Sequence, residues 1–251
     1  MTGLVALTER AVRATLRDDL PFAILAPVGN FVVFYFVLRD VIDTGHLSYS
    51  QYVLPVVVIQ AMFLGALTTV DRATSDQRLE FGLRLRTLPI PQSVPLMARM
   101  LYCLLRGILS LAAAIAIGYV FGFRIFGGLV YAVAFAVLVL VLTLAVSLAA
   151  DAAGSRAAQA GIGRSGASSQ LFLIPQMLLV MLSTGMAPLD SFPDWLHPFV
   201  QYQPVSQVTE TLRGFAGGQV WASNLMTSVA WCLGMLVVFG AVALRMQRRK
   251  Q

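Results

Sequence analysis

The chain has 251 residues, 58% of them hydrophobic and only 12% charged, with a net charge of +6. A charged share near half that of a soluble domain leaves too little polar surface to cover a water-soluble globule, so the natural solvent is lipid. The basic residues stand beside apolar runs, which points to orientation in a membrane and not to nucleic acid.

At the start, Glu9, Asp18 and Asp19 interrupt the apolar pattern, and no short apolar core leads to a small-residue cleavage site. No signal peptide is therefore expected. Leu4, Leu7, Ala11 and Ala14 share one helical face and Arg10, Arg13 and Arg17 another, the pattern of an amphipathic helix on the membrane surface. Six apolar runs follow that are near the roughly 20 residues a membrane span requires. They are Pro21–Leu38, Tyr52–Val70, Leu101–Phe123, Ile125–Ala150, Leu171–Ala187 and Trp221–Leu244. Arg106 lies near the start of the third, and the few residues "GFRIFGG" make the third and fourth a tight helical hairpin.

The arginines orient the set. With the N-terminus cytoplasmic, the inside segments hold Arg10, Arg13, Arg17, Arg72, Arg78, Arg84, Arg86, Arg99, Arg156, Arg164, Arg245, Arg248, Arg249 and Lys250, and the outside keeps Arg39, Arg124 and Arg213. Arg106 falls at the inner membrane boundary. Fourteen against three is a strong positive-inside signal, and an even span count puts both termini inside.

The stretch "STGMAPLDSFPDWLHPFVQYQPVSQVTETLRGFAGG" then lies outside, between spans five and six. Ser191 to Asp194 has the form of a capping box, with Pro193 in the first turn. Trp195, Phe199 and Tyr202 recur at helical spacing. After Pro204 a second short helix carries Val205, Val208 and Leu212 on one face, with Gly214 as its stop. The expectation is a re-entrant or surface-lying helical pair that lids the outer end; the plainer alternative is an aromatic-belt loop with no moving role.

Several chemistries lack their residues. Cys103 and Cys232 sit in apolar runs and read as packing residues, while His46 and His197 build no cluster of metal-ligand spacing. Gly161, Gly163 and Gly166 have dinucleotide-motif spacing but follow no strand. The only lysine is Lys250, so no ATPase phosphate-binding loop is present. All twelve carboxylates fall in loops or at span ends, among them Asp40, Asp71 and Asp151, which argues against proton coupling. Asn30, Gln60 and Ser147 read as interhelix hydrogen-bonding groups. Asp190 and Asp194 read as a cap and a wetted surface. A polytopic bundle without an energy source works passively or borrows energy from a cytoplasmic partner.

The handle for such a partner is the longest inside loop, "DRATSDQRLEFGLRLRTLPIPQSVPLMARM". Leu79, Leu83 and Leu85 can pack on the bundle, while Arg78, Glu80, Arg84 and Arg86 face a partner or phosphates, and Pro89 and Pro91 stop the helix.

This loop, together with "GYVFGFR" at Gly118–Arg124, "SLAADAAG" at Ser147–Gly154 and the outer stretch Ser183–Gly217, resembles the permeases of type-2 ABC exporters, within them the daunorubicin/doxorubicin-resistance class of actinobacteria. The resemblance implies an all-α integral membrane protein, one permease domain over residues 1–251, with six spans, an N-terminal interfacial helix, a cytoplasmic coupling helix and outer re-entrant helices. It implies pairing with a second permease, identical or a paralogue, and docking of two ATP-binding subunits that hold ATP and magnesium. This chain itself would carry no cofactor and no catalytic residue, and its surroundings would be lipid of the inner membrane. Coupling to the ATPase would fall to Arg78, Glu80, Phe81, Gly82, Arg84, Arg86 and Pro89. The outer lid would use Pro188, Phe192, Pro193, Trp195, Phe199 and Pro204. One departure stands out: many members carry an acidic-x-Gly-Thr pattern in the coupling region, and here Leu83 follows Glu80, Phe81 and Gly82. The expected function is ATP-driven export of an amphipathic drug or complex lipid. A passive channel or secondary carrier for apolar small molecules is the alternative, and a lipid-modifying membrane enzyme a more distant one.

Overall fold

The computed structural model describes residues 19–39, 48–78, 93–159 and 167–248. They form α1 (Asp19–Leu38), α2 (Tyr49–Arg78), α3 (Ser93–Val120), α4 (Gly128–Gln159), α5 (Ala167–Met181), two single 3-10 turns at Leu189–Ser191 and Asp194–Leu196, α6 (His197–Tyr202), α7 (Pro204–Gly217) and α8 (Ala222–Arg248). Among the described residues no strand forms. Five helices, α1, α2, α3, α4 and α8, are long and apolar enough to cross a membrane.

The apolar runs locate these helices, but the helices outlast the runs. α3 begins at Ser93, two turns before the expected Leu101, and α4 continues to Gln159, past the expected Ala150. Pro95 falls in the first turn of α3, where no backbone N–H bond is lost, and Gly154 is the one poor helix former in the α4 extension, so backbone bonding continues where hydropathy has already fallen. Between α3 and α4 the chain turns over residues 121–127, the expected hairpin.

α2 is the hub. Its residues Leu54, Val56, Val57, Val58 and Ile59 are fully buried, as a helix that is apolar on every side requires. It packs against α1, α3, α4, α5 and α7. Its closest approach is to α4, where a Cβ at Gly154 would stand 2.6 Å from the Val70 carbonyl oxygen. Small residues let two backbones meet in this way without a hydrophobic driving force from solvent. Thr74 Oγ1 donates to the Gly154 carbonyl across the same contact, at 3.3 Å.

α1 contains Pro27, whose missing N–H orphans the Ala23 carbonyl four residues back. Ser110 Oγ from α3 donates to that carbonyl at 2.5 Å, in a fully buried setting. In lipid every such gap needs a partner of this kind. The outward faces of α1 and α8 stay apolar, with Leu25, Phe36 and Val37 exposed on one and Met226, Val237 and Val238 on the other. Lipid covers such faces at no cost.

The fifth apolar run differs from expectation. Its described helix ends at Met181, not Ala187, and has 15 residues, about 22 Å against a hydrocarbon core of about 30 Å. The expected N-terminal amphipathic helix and Gly161, Gly163 and Gly166 lie outside the described residues.

Candidate functional site

The two ends of the bundle differ in kind. One end, here termed the upper, collects residues 182–220 above the break in α5. The other, the lower, is where α1 begins and α2 ends.

At the upper end α5 gives way after Met181 to a turn that side chains hold. Ser183 Oγ donates to the Val180 carbonyl at 2.6 Å, and the backbone then leaves the helix through Thr184 and Gly185. The carbonyls beyond the break are collected by one short helix. Arg213 of α7 donates through Nη1 to Thr184 at 3.0 Å and through Nη2 to Gly185 at 3.1 Å. It also reaches the Tyr52 carbonyl of α2 through Nε at 3.1 Å and Nη2 at 3.0 Å, and Glu210 through Nη1 at 2.7 Å. All five guanidinium donors are thus engaged. The guanidinium lies over the Tyr52 ring, 3.7 Å from its centroid. Tyr52 Oη donates to the Thr184 carbonyl as well, at 3.0 Å. Gln203 Nε2 donates to the Leu182 carbonyl, and Ser206 Oγ accepts from the Thr184 N–H at 3.1 Å. A broken helix is tolerated at membrane depth only when protein satisfies the break, and α7 with α2 does that here.

Beyond this clamp the chain forms a series of short turns and helices. Pro188 precedes the first 3-10 turn, Phe192 ends it, Pro193 precedes the second, and Pro204 opens α7. The expected capping box at Ser191 to Asp194 does not form: no side chain caps Asp194–Leu196, and Ser191 belongs to the preceding turn. His197 Nε2 instead holds the Phe192 carbonyl at 2.8 Å, so that nitrogen carries the proton. The expected stop at Gly214 is also wrong. α7 continues to Gly217 and ends at Gly218, whose φ of 76° is the left-handed conformation that glycine adopts without strain. Trp195, Phe199 and Tyr202 point outward, as does Asp194. Trp231 Nε1 of α8 donates to the Tyr202 carbonyl at 3.1 Å and ties this layer down.

At the lower end the charges pair across helices. Arg72 of α2 binds the Asp19 carboxylate of α1, lies 4.0 Å from the Tyr102 ring of α3, and Tyr102 Oη donates to the same carboxylate at 3.2 Å. Arg99 of α3 pairs with Asp151 of α4 at 2.8 Å.

The structure brings the proposed lid residues Pro188, Phe192, Pro193, Trp195, Phe199 and Pro204 into one layer, but its fastening is made by Arg213, Gln203, Ser206 and Tyr52. Arg78 falls at the end of α2, and Glu80, Phe81, Gly82, Arg84, Arg86 and Pro89 lie outside the described residues.

Long apolar helices, a broken one, and short helices laid over one end make up the region over which the sequence matches a known family, that of the ABC-2 family transporter proteins, at residues 41–245. The chain belongs to the ABC-2 transporter family. Among its ABC-2 relatives is the probable doxorubicin resistance ABC transporter permease protein DrrC of Mycobacterium tuberculosis, 26% identical over 234 residues, covering 92% of this chain and 83% of the relative. The doxorubicin resistance permease DrrB of the same organism is 32% identical over 205 residues, 75% of this chain and 66% of that one. The daunorubicin resistance permease DrrB1 of Streptomyces coeruleorubidus is 27% identical over 231 residues, 90% and 78% of the two chains.

Proposed function

We propose that this chain is the membrane-spanning half of an ATP-driven exporter that moves an amphipathic drug or complex lipid out of the cytoplasm or inner leaflet. The observation that carries this reading is the family match over residues 41–245, joined to relatives whose names are those of drug-resistance permeases. The sole lysine, Lys250, leaves the chain without a phosphate-binding loop, so hydrolysis of ATP with magnesium belongs to two copies of a partner subunit. A second permease, identical or a paralogue, would pair with this chain to form a substrate cleft between them.

In this reading the upper end faces outside, both termini are cytoplasmic, and the bundle sits in the inner membrane. The α5 segment is the fifth of six crossings, and residues 182–217 are its re-entrant continuation. Closure of the ATPases would press on Arg78 to Pro89, shift α2, and strain the clamp where Arg213 holds the upper end of the same helix. The lid of α6 and α7 would then lift as a unit.

The deciding experiment tags the chain, extracts it gently from its native membrane and identifies what co-purifies. Recovery of an ATPase with a phosphate-binding loop supports the pump, and a second permease in the particle makes it a heteromer. Recovery of this chain alone, even after crosslinking within Arg78–Pro89, refutes the pump and leaves the passive carrier.

A further inference from the structure

Among the described residues, Arg106 is a buried cation with no carboxylate of its own. It sits near the middle of α3, one turn deeper than Tyr102, and is 4% exposed. Its Nε has no hydrogen-bond partner, and among the described residues no hydrogen bond or ion pair reaches the guanidinium. Arg72, Arg99 and Arg213 each have a carboxylate. Asp19 faces Arg106 together with Arg72, but that carboxylate is already bound by Arg72 and Tyr102. A buried charge without partner is expensive, and such a residue inside a span marks a site by default.

The surroundings are shaped to hold it. Arg106 lines a cavity between α2, α3 and α4 with Met62, Gly65, Cys103, Gly107, Thr143 and Ser147. A Cβ at Gly65 would collide with Arg106 Nη1, so a side chain there would push the guanidinium aside. The free space is about 10 Å³, the room of one water-sized group and far less than a ring system. A ligand could therefore reach the guanidinium with no more than a single oxygen, and an anionic oxygen is the one that would pair its charge.

We propose that this cavity binds the acidic group of a ligand, one carboxylate or phosphate oxygen docking on the Arg106 guanidinium inside the helix bundle. The site belongs to the chain itself and does not depend on the exporter reading. Failure of an ATPase to co-purify leaves it standing, and failure of anion binding leaves the exporter standing.

The test uses the purified full chain in neutral-lipid nanodiscs and isothermal titration with hexyl phosphate, hexanoate, hexyltrimethylammonium and inorganic phosphate. Saturable binding of the two acidic amphiphiles but not of the ammonium compound is expected. Arg106→Gln should weaken that binding by about tenfold or more, the usual loss of a charge-assisted bond, and Arg106→Lys by less. Gly65→Ala, which displaces the guanidinium without removing its charge, should also weaken it. Inorganic phosphate binding as tightly as hexyl phosphate would name a soluble anion as the source, and weaker binding would name an amphiphile headgroup. Equal binding of acidic and ammonium compounds by the wild-type chain, or unchanged affinity in a folded Arg106→Gln or Gly65→Ala variant, overturns the proposal. The wild-type selectivity decides the matter alone if neither variant folds.

Discussion

Replacing Arg213 by alanine should open the upper end while leaving the five long helices in place. The loss can be worked from its bonds. Tyr52 Oη still donates to the Thr184 carbonyl after the change. The Gly185 carbonyl, whose bond at 3.1 Å comes from Arg213, is left without it. An orphaned carbonyl costs about 1–3 kcal/mol and a lost bond from a charged donor about 1.5–3 kcal/mol. Arg213→Ala should therefore destabilise the clamp by roughly 3–5 kcal/mol, since the Glu210 pair at 2.7 Å is exposed on its acidic side and adds little. Local opening is read by amide hydrogen exchange. At about 1.4 kcal/mol per decade, exchange of peptides covering 182–188 and 203–213 should rise by roughly two to three and a half orders of magnitude. Arg213→Lys should fall between, because an ammonium lacks the planar fork that reaches two segments at once. Exchange within a few-fold of wild type in the alanine variant, with α3 and α4 peptides equally unchanged, would refute the view that this residue fastens the break.

Other perturbations have defined outcomes. Ser110→Ala should cost about 1–3 kcal/mol because the Ala23 carbonyl loses its substitute for the N–H that Pro27 lacks; in a Pro27→Ala background the same change should cost much less, and a thermal-melt double-mutant cycle measures the coupling. Gly154→Ala forces a Cβ to within 2.6 Å of the Val70 oxygen, so the melting temperature should drop by an amount equivalent to about 1–3 kcal/mol. Asp151→Ala strips the carboxylate 2.8 Å from Arg99 and should cost about 3–5 kcal/mol by the same assay, while the paired Arg99→Leu, Asp151→Leu replacement should recover much of it. If the proposed exporter function holds, charge reversal at Glu80 or Arg84 should uncouple transport yet leave membrane insertion normal, and unchanged transport in both variants would remove the coupling role from that loop.

The long helices are legible in the sequence because hydropathy alone specifies them. Leu54 to Ile59 are apolar on every face, and no partner needs to be known to bury them. Ends are less legible, since a run of apolar residues reports the membrane's thickness and a helix ends where its backbone loses bonding. Gly214 has the look of a stop, but α7 runs on to Gly217 because Gly218 supplies the left-handed residue. The break after Met181 is hidden for another reason: the carbonyls it frees are satisfied by the guanidinium of Arg213, a residue that in one dimension is only an arginine counted on the outer side. A signal is present in the buried polar set Gln203, Ser206, Gln207, Thr209 and Thr211, too many for a helix meant only to lie on a surface. Arg106 reads as a boundary charge in one dimension, because the emptiness around it exists only once Gly65 and Thr143 are brought beside it.

Arg213 and the Tyr52 carbonyl it bonds are 161 residues apart. During synthesis, α2 enters the membrane long before its upper end can be completed. The broken end of α5 likewise emerges about 29 residues ahead of the donor it needs. Until α7 follows, the nascent bundle holds bare carbonyls that lipid cannot satisfy. A chain cut short anywhere before residue 213 would thus present a defect that membrane proteolysis can sense. One side chain, Arg213, makes assembly of this bundle a late event, and so ties correct assembly to translation through residue 213.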